Sequence, residues 1–331
     1  MNSFGTLFRI HIFGESHGES IGFVLDGCPA GIALDVTDFV TDMERRKGGV
    51  QKGTTPRKED DIPVFKSGIF NGKTTGAPIA VFFENNNTRS GDYDKHRAIP
   101  RPGHADFTAH IKYGGYEDYR GGGHFSGRLT ACLVAAGVIA KKILGSKNII
   151  TTASIIEIGG EKDIDKGLQK AIDQKDSIGG IVECRVNGLP VGLGEHFFDS
   201  VESVISHAVF AIPAIKGIEF GTGFAAAKMF GSAHNDAQID GAGTTRTNHA
   251  GGIVGGITNG NELVYRVVVK PTSSTPKEQN SWNWSTEQVE NFSVKGRHDL
   301  CIALRVPVVL EAVTAVALTD FMLREQQIAR K

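Results

Sequence analysis

Hydrophobic and polar residues alternate over several short stretches of this chain, and the alternation predicts strands. The runs are "IGFVLDG" (21–27), "IPVFKSGIF" (62–70), "PIAVFFE" (78–84), "IITTASIIEIG" (150–159), "GGIVECRVNG" (179–188) and "LVYRVVVK" (263–270). Their β-branched and aromatic content suits a half-buried pleated surface. Between them the period becomes that of a helix. "VTDFVTDMERRK" (36–47) follows Asp35, and "GRLTACLVAAGVIAKKIL" (127–144) follows Ser126, both N-cap residue types. Further helices are expected over 163–175, 199–211 and 307–328. "LTACLVAAGVIA" and "VVLEAVTAVAL" are apolar nearly all round, which predicts core helices. Each is too short, or carries a charge, for the roughly 20 apolar residues of a membrane span, so none is expected.

Strands and helices follow in mixed rather than strictly alternating order. That argues for the α+β class, with sheets covered by helices. No linker rich in Pro or Ser interrupts the chain, so residues 1–331 read as one domain, and "PTSSTPKEQNSWNW" (271–284) reads as a loop. The 331 residues suffice for a sizeable core, and 40% hydrophobic with 22% charged residues is ordinary for a globular protein. A net charge of -1 gives no basicity that points to nucleic acid. Cys28, Cys132, Cys184 and Cys301 are widely spread and form no C-x-x-C. This disfavours a zinc ribbon or disulfide scaffold and suggests reduced, buried thiols in a cytoplasmic protein. The start, "MNSFGTLFRI", lacks a signal-peptide core.

Glycine changes the picture: there are 42, many beside polar residues, as in "YRGGGHFSG" and "HAGGIVGG". Such placement suits tight turns and close backbone approach to a ligand. Histidines recur in the same settings: His17, His104, His124, His234, His249 and His298. Cations gather as Arg45, Arg46, Lys47, Lys52, Arg57, Arg101 and Arg128. If the fold brings Arg46, Lys52, Arg101 and Arg128 together, they suit a small polyanion, because a guanidinium grips phosphate or carboxylate with two hydrogen bonds. "RGGGHFSGR" puts a glycine turn before a helix, where free N–H groups favour an anion. "GESHG" (14–18) matches the G-x-S-x-G of hydrolase nucleophiles, but a strand rather than a helix follows it, which argues against Ser16 as a nucleophile. His17, His104, Asp106, Asp236, His298 and Asp299 also leave a metal-dependent phosphohydrolase as an alternative, without a compact ligand spacing behind it.

Taken together, these strings resemble the chorismate synthase family over nearly the whole chain. "GESHG", "DGCPAGI", "ERRKGG", "TTGAPI", "RPGHAD", "YRGGGHFSGR", "NHAGGIVGGI", "KPTSS" and "GRHDLC" stand in the family's order. The resemblance implies a β-α-β sandwich-like fold with antiparallel sheets inside a shell of helices. It implies a homotetramer that converts 5-enolpyruvylshikimate 3-phosphate to chorismate by 1,4-elimination of phosphate, with reduced FMN and no net redox change. No metal, membrane or nucleic acid is implied. By matching motif positions, His17, His104 and Asp299 are the catalytic candidates, with Ser16 and Ser126 beside them. Arg46, Lys52, Arg101 and Arg128 would hold substrate anions. His124, Phe125, Ser126, Pro213, Ala214, Gly255, Lys270, Pro271, Thr272, Ser273, Ser274 and Arg297 would hold FMN. No Rossmann-type fingerprint is present, so an external flavin reductase is expected to supply reduced flavin, with NADPH an indirect reductant. Three departures stand out. Many family members carry R-S-S-A-R where this chain has His124-Phe125-Ser126-Gly127-Arg128, Lys52 stands where Arg is common, and Pro213 precedes Ala214 where Asn is common.

Overall fold

Residues 1–49, 53–55, 59–86, 97–294 and 298–329 are described by a computed structural model. In the first half of the chain come β1 (Ser3–Phe4), β2 (Arg9–Gly14), β3 (Ser20–Asp26), β4 (Val64–Ser67), the short pair β5 (Ile69–Phe70) and β6 (Lys73–Thr74), and β7 (Ile79–Glu84). All but β5 and β6 form one antiparallel sheet in the order β1-β2-β3-β7-β4. Alternation does what the sequence implied: Ile21, Phe23 and Leu25 of β3 and Ile79, Val81 and Phe83 of β7 are wholly buried. The expected strand 62–70 breaks at Gly68, whose φ of +83° a side chain would strain and whose missing Cβ lets Ile79 approach.

The second sheet takes β8 (Ile150–Ile158), β9 (Gly180–Asn187), β10 (Ile215–Phe220) and, after the hairpin of β11 (Ile253–Val254) and β12 (Ile257–Thr258), β13 (Leu263–Val269). Its order is β10-β13-β9-β8, again antiparallel. β14 (Gln279–Asn283) and β15 (Gln288–Phe292) form a separate hairpin, so the expected loop 271–284 holds a strand at its end. That hairpin is polar and held by cross-strand pairing, which left no apolar alternation to read.

The helices are α1 (Thr37–Arg46), α2 (Asp106–Tyr113), α3 (Thr130–Gly145), α4 (Ile164–Gln174), α5 (Val201–Val209), the single turn α6 (Gly231–His234) and α7 (Val306–Arg324). Asp35 caps α1 by accepting from Thr37 N at 2.6 Å, while Asp38 accepts from Asp35 N at 2.9 Å. Ser126 accepts from Arg128 N at 3.3 Å and so caps the turn Gly127–Leu129 that leads into α3. α2 went unforeseen because only Ala109 in it is buried and no apolar stripe marks it.

The α+β class and the sandwich layering are as expected, with one difference in what lies inside. α3 and α7 pack on each other, α3 touches β3, and α7 lies along β8 and β9. The two apolar helices are therefore the filling between the sheets rather than part of a shell. Gly137 makes this possible, since a Cβ there would collide with Ala312 on α7. With the turn before it, Ile302–Arg324 is long and apolar enough to cross a membrane by length and composition, yet 83% of that stretch is buried within the fold. One carboxylate ties the layers: buried Glu311 on α7 accepts from Arg45 at 2.8 and 2.7 Å, Lys141 at 2.6 Å and Ala153 N at 2.9 Å. Burial pushes its carboxyl up, but Arg45 and Lys141 hold it below the usual range. The four cysteines are unpaired and buried, which pushes Cys28, Cys132 and Cys184 up to about 12 and Cys301 to about 11.

Candidate functional site

A cleft of about 800 Å³ opens at one end of the sandwich, where the N-terminal strand, the ends of α1 and α5, and the turns before α2, α3 and α7 converge. "GESHG" is the loop of the β2–β3 hairpin. Ser16 N donates to Gly123 O at 3.1 Å, and Asn85 Nδ2 donates to Glu15 O at 3.0 Å and Gly18 O at 2.9 Å. The loop is thus fixed by two neighbours, and Ser16 and His17 are buried. No helix follows Ser16, so the nucleophile-elbow geometry is absent. Ser16 Oγ has no hydrogen-bond partner among the described residues.

The glycine run beside it takes a conformation that L side chains rarely adopt. Gly121, Gly122 and Gly123 have φ of +61°, +84° and +52°. A Cβ on Gly121 would overlap the His17 ring, and one on Gly122 would lie 3.1 Å from His104 Cε1. Gly121 lines the cleft, and His17 and Ser16 lie one layer beneath it.

His104 belongs to a charged triad. Its Nδ1 is 2.6 Å from Asp106 Oδ1, and Asp106 also accepts from Arg101 Nε and Nη2, both at 2.8 Å. A carboxylate only accepts, so the proton sits on His104 Nδ1. Burial pushes the Asp106 carboxyl up, but Arg101 and His104 hold it well below the ordinary range. "KPTSS" is stitched to the same loop: Ser273 Oγ donates to Gly103 O at 2.7 Å, Lys270 Nζ to Ser273 Oγ at 2.6 Å, and Arg101 Nη1 to Ser274 Oγ at 3.3 Å.

Helical periodicity decides which arginine of "ERR" reaches the cleft. Phe39, Met43 and Arg46 share the buried face of α1, at spacings of four and three, while Arg45 turns to Glu311. Arg46 and Arg128 both line the cleft and both donate to Asp61, Arg46 through Nη2 and Arg128 through Nη1. Burial pushes the Asp61 carboxyl up, and the two guanidinium groups override this and hold it low. Asp299 accepts from Thr55 N at 2.9 Å and from Arg305 Nη1 at 3.0 Å, and Arg305 Nε donates to Arg46 O at 2.8 Å.

The structure therefore gathers Arg46, Arg101, His104, Ser126, Arg128 and Asp299 on one cleft, with Phe125, Pro213, Ala214 and 270–274 also on its wall. His124 lines it too, but its ring is turned to the hairpin, with Nδ1 2.8 Å from Gly14 O and Nε2 3.1 Å from Asn2 Oδ1. Gly255 does not line the cleft. It sits at the tip of the β11–β12 hairpin, which is anchored elsewhere by Val201 N donating to Gly256 O at 2.9 Å. Lys52, Arg57 and Arg297 lie outside the described residues. Among the described residues, no group of three or more His, Cys, Asp or Glu side chains is arranged to hold a metal ion. Sequence reasoning missed Asp61, Arg305 and the N-terminal residues 1–4, which also line or back the cleft. Only Arg305 carried a signal, as a cation just before a largely apolar helix.

The comparisons agree with one another. A family model described as chorismate synthase matches residues 8–323. The chain is 70% identical over 327 residues to the chorismate synthase of Chitinophaga pinensis, covering 99% of this chain and 98% of that one. It is 40% identical to that of Methanocaldococcus jannaschii, covering 98% and 97%. That alignment runs over 366 positions against 331 residues here, so the relative carries segments this chain lacks. Among solved structures, a crystal structure of chorismate synthase superimposes with a TM-score of 0.75 at 26% identity, covering 97% of this chain and 93% of that one.

Proposed function

The chain belongs to the chorismate synthase family, and on that footing we propose that it eliminates phosphate from 5-enolpyruvylshikimate 3-phosphate to give chorismate, with reduced FMN in the same cleft. The observation that carries this reading is the convergence of Arg46, Arg101, His104, Arg128 and Asp299 on one 800 Å³ cleft. The volume falls within the range of small-molecule sites. The lining chemistry suits both guests. Ile10, Ile12, Leu133, Phe210 and Ile302 make an apolar wall for a flat ring system. Lys270, Thr272 and Ser273 offer an ammonium and hydroxyls for the cofactor's phosphate, and burial, with the charge of Lys216, pulls the Lys270 ammonium down from its usual value. Arg46, Arg101, Arg128 and Arg305 face a substrate that bears one phosphate and two carboxylates.

Reduced FMN would supply the electron density that lets the phosphate leave without net redox change. The protein's part is positioning, charge and proton handling. Arg46 and Arg128 bind a substrate anion. His17, beneath Gly121, is the proton or charge partner of the departing phosphate. His104, with Nδ1 committed to Asp106 and Nε2 3.3 Å from Arg101 Nη2, presents its ring to the cofactor from the cleft wall. Asp299, held between Thr55 N–H and Arg305, assists loss of the substrate proton. Ser126 accepts from Arg128 N within the site, and Ser16 is held beneath it through its backbone N–H to Gly123 O. A cytoplasmic homotetramer served by an external flavin reductase completes the reading.

The test is an anaerobic assay with the phosphorylated substrate and chemically reduced FMN. Stoichiometric phosphate and chorismate are expected, and a folded, FMN-binding sample without turnover would refute the proposal. Aerobic turnover with NADPH and FMN alone would overturn the external reductase.

A further inference from the structure

Two buried guanidinium groups a few ångströms apart repel each other unless something stands between them. Here that group is Asp61. Its side chain is 0% exposed, and those of Arg46 and Arg128 are 3% exposed each. Both arginines line the cleft, whereas Asp61 does not: it lies behind them. Its two oxygens are divided, Oδ2 to Arg46 and Oδ1 to Arg128. The backbone at Asp61 has φ +52°, a left-handed conformation that Asp adopts more readily than most residues with a side chain.

The other donors of the pair are fixed from several elements. Arg128 Nε donates to Asn85 Oδ1 at 3.0 Å and Nη2 to Glu84 O at 3.3 Å. Arg46 Nη1 reaches Thr130 Oγ1 at 3.5 Å, and Arg46 Nε is buried without an acceptor among the described residues. Asp61 thus offsets part of the charge of the two guanidinium groups from behind, while Glu59, which lines the cleft, acts on Arg128, and the Arg305–Asp299 pair lies beside Arg46.

We infer that Asp61 is a positioning residue: it holds Arg46 and Arg128 from behind as a preorganised pair that faces an anionic group of the ligand from the cleft wall. A carboxylate that instead occupied the ligand's place would line the cleft and compete with it, and Asp61 does neither by its location. The identification of that ligand group with the phosphate or a carboxylate of the substrate rests on the proposed function. The anion subsite itself does not.

The experiment therefore reads anion binding directly, with inorganic phosphate titrated calorimetrically into flavin-free, substrate-free protein. Wild type should bind phosphate, and Asp61→Asn should weaken that affinity roughly tenfold or more, the usual scale for removing one member of a buried charge pair. In the anaerobic assay KM should rise more than kcat falls, and FMN affinity should change less than either. Asp61→Gly guards against misfolding, because glycine accepts φ +52° without strain and leaves a cavity of carboxylate size. Millimolar formate should restore its phosphate affinity, while in wild type formate only competes. Unchanged or tighter phosphate binding in the variants would overturn the inference, as would a loss in Asp61→Gly that formate does not recover, failure of that variant to fold with formate present, or a wild type that binds no phosphate. A wild type that binds phosphate through Asp61 but forms no chorismate would refute the proposed function and leave the role of Asp61 standing.

Discussion

His17 and His104 pack against successive residues of one glycine turn, His17 against Gly121 and His104 against Gly122. The two imidazoles come from a β-hairpin loop and from the turn before α2, far apart in sequence. What brings them together is a backbone that no side chain would tolerate. Gly121→Ala should therefore act twice. Alanine at φ +61° costs about 1–2 kcal/mol, and its methyl group would displace the His17 ring. Turnover should fall about a hundredfold, the scale of an ångström's misplacement, and the melting temperature should drop. Steady-state kinetics and a thermal melt of the variant check both, and near-normal turnover would mean that the His17 position is not needed.

Asp106 serves His104 and Arg101 at once. Asp106→Asn should leave the Nδ1 proton of His104 unfixed and loosen Arg101. We expect kcat to fall on the order of a hundredfold, as for loss of an oriented acid–base group, with KM rising as well. The pH–rate profile of the variant should shift, and Asp106→Glu should recover part of the activity. An unchanged profile would reduce Asp106 to a structural role.

The depressed carboxyls also set a pH dependence of stability. Asp61, Asp106 and Glu311 all titrate below their ordinary values in the folded chain, held there against burial by their cationic partners. Groups of this sign stabilise the fold fully above their unfolded values of about 4 and lose that contribution as pH falls below them. The melting temperature should be steady in this respect above about pH 5 and fall progressively from about pH 4 downward. Differential scanning calorimetry from pH 3 to 7 measures it, and the fall should be shallower in Asp106→Asn. A stability that rises on acidification would contradict these pairings.

Gly137 tests the centre of the sandwich. Its Cα faces Ala312 so closely that a Cβ has no room. Gly137→Ala should raise helix propensity by up to about 1 kcal/mol and lose about 1–3 kcal/mol to overpacking. The net expectation is a melting temperature lower by a few degrees, with kcat and KM changing little, because the cleft is lined by the first turn of α3 and Gly137 lies one turn further on, facing Ala312. A stabilised variant would show that the α3–α7 pair can spread at little cost.

Local physics made much of this protein legible before any fold was seen. Alternation marked β3, β7, β8, β9 and β13, the helical period marked α1, α3, α4, α5 and α7, and Asp35 and Ser126 announced their caps, because each of these depends on residues within one or two turns of chain. The order of the glycine- and histidine-bearing strings was enough to assign the family. Tertiary structure decided what sequence distance hides. It put α3 and α7 between the sheets, since burial on all sides says only that a helix is covered and not by what. It turned the His124 ring to Gly14 and Asn2, and set Gly255 on a hairpin away from the cleft. It also paired Arg46 and Arg128 on Asp61. One aspartate of the two in "EDDIP" carries no mark of its partners, because an ion pair is specified by where two backbones meet and not by the spacing of its own neighbours.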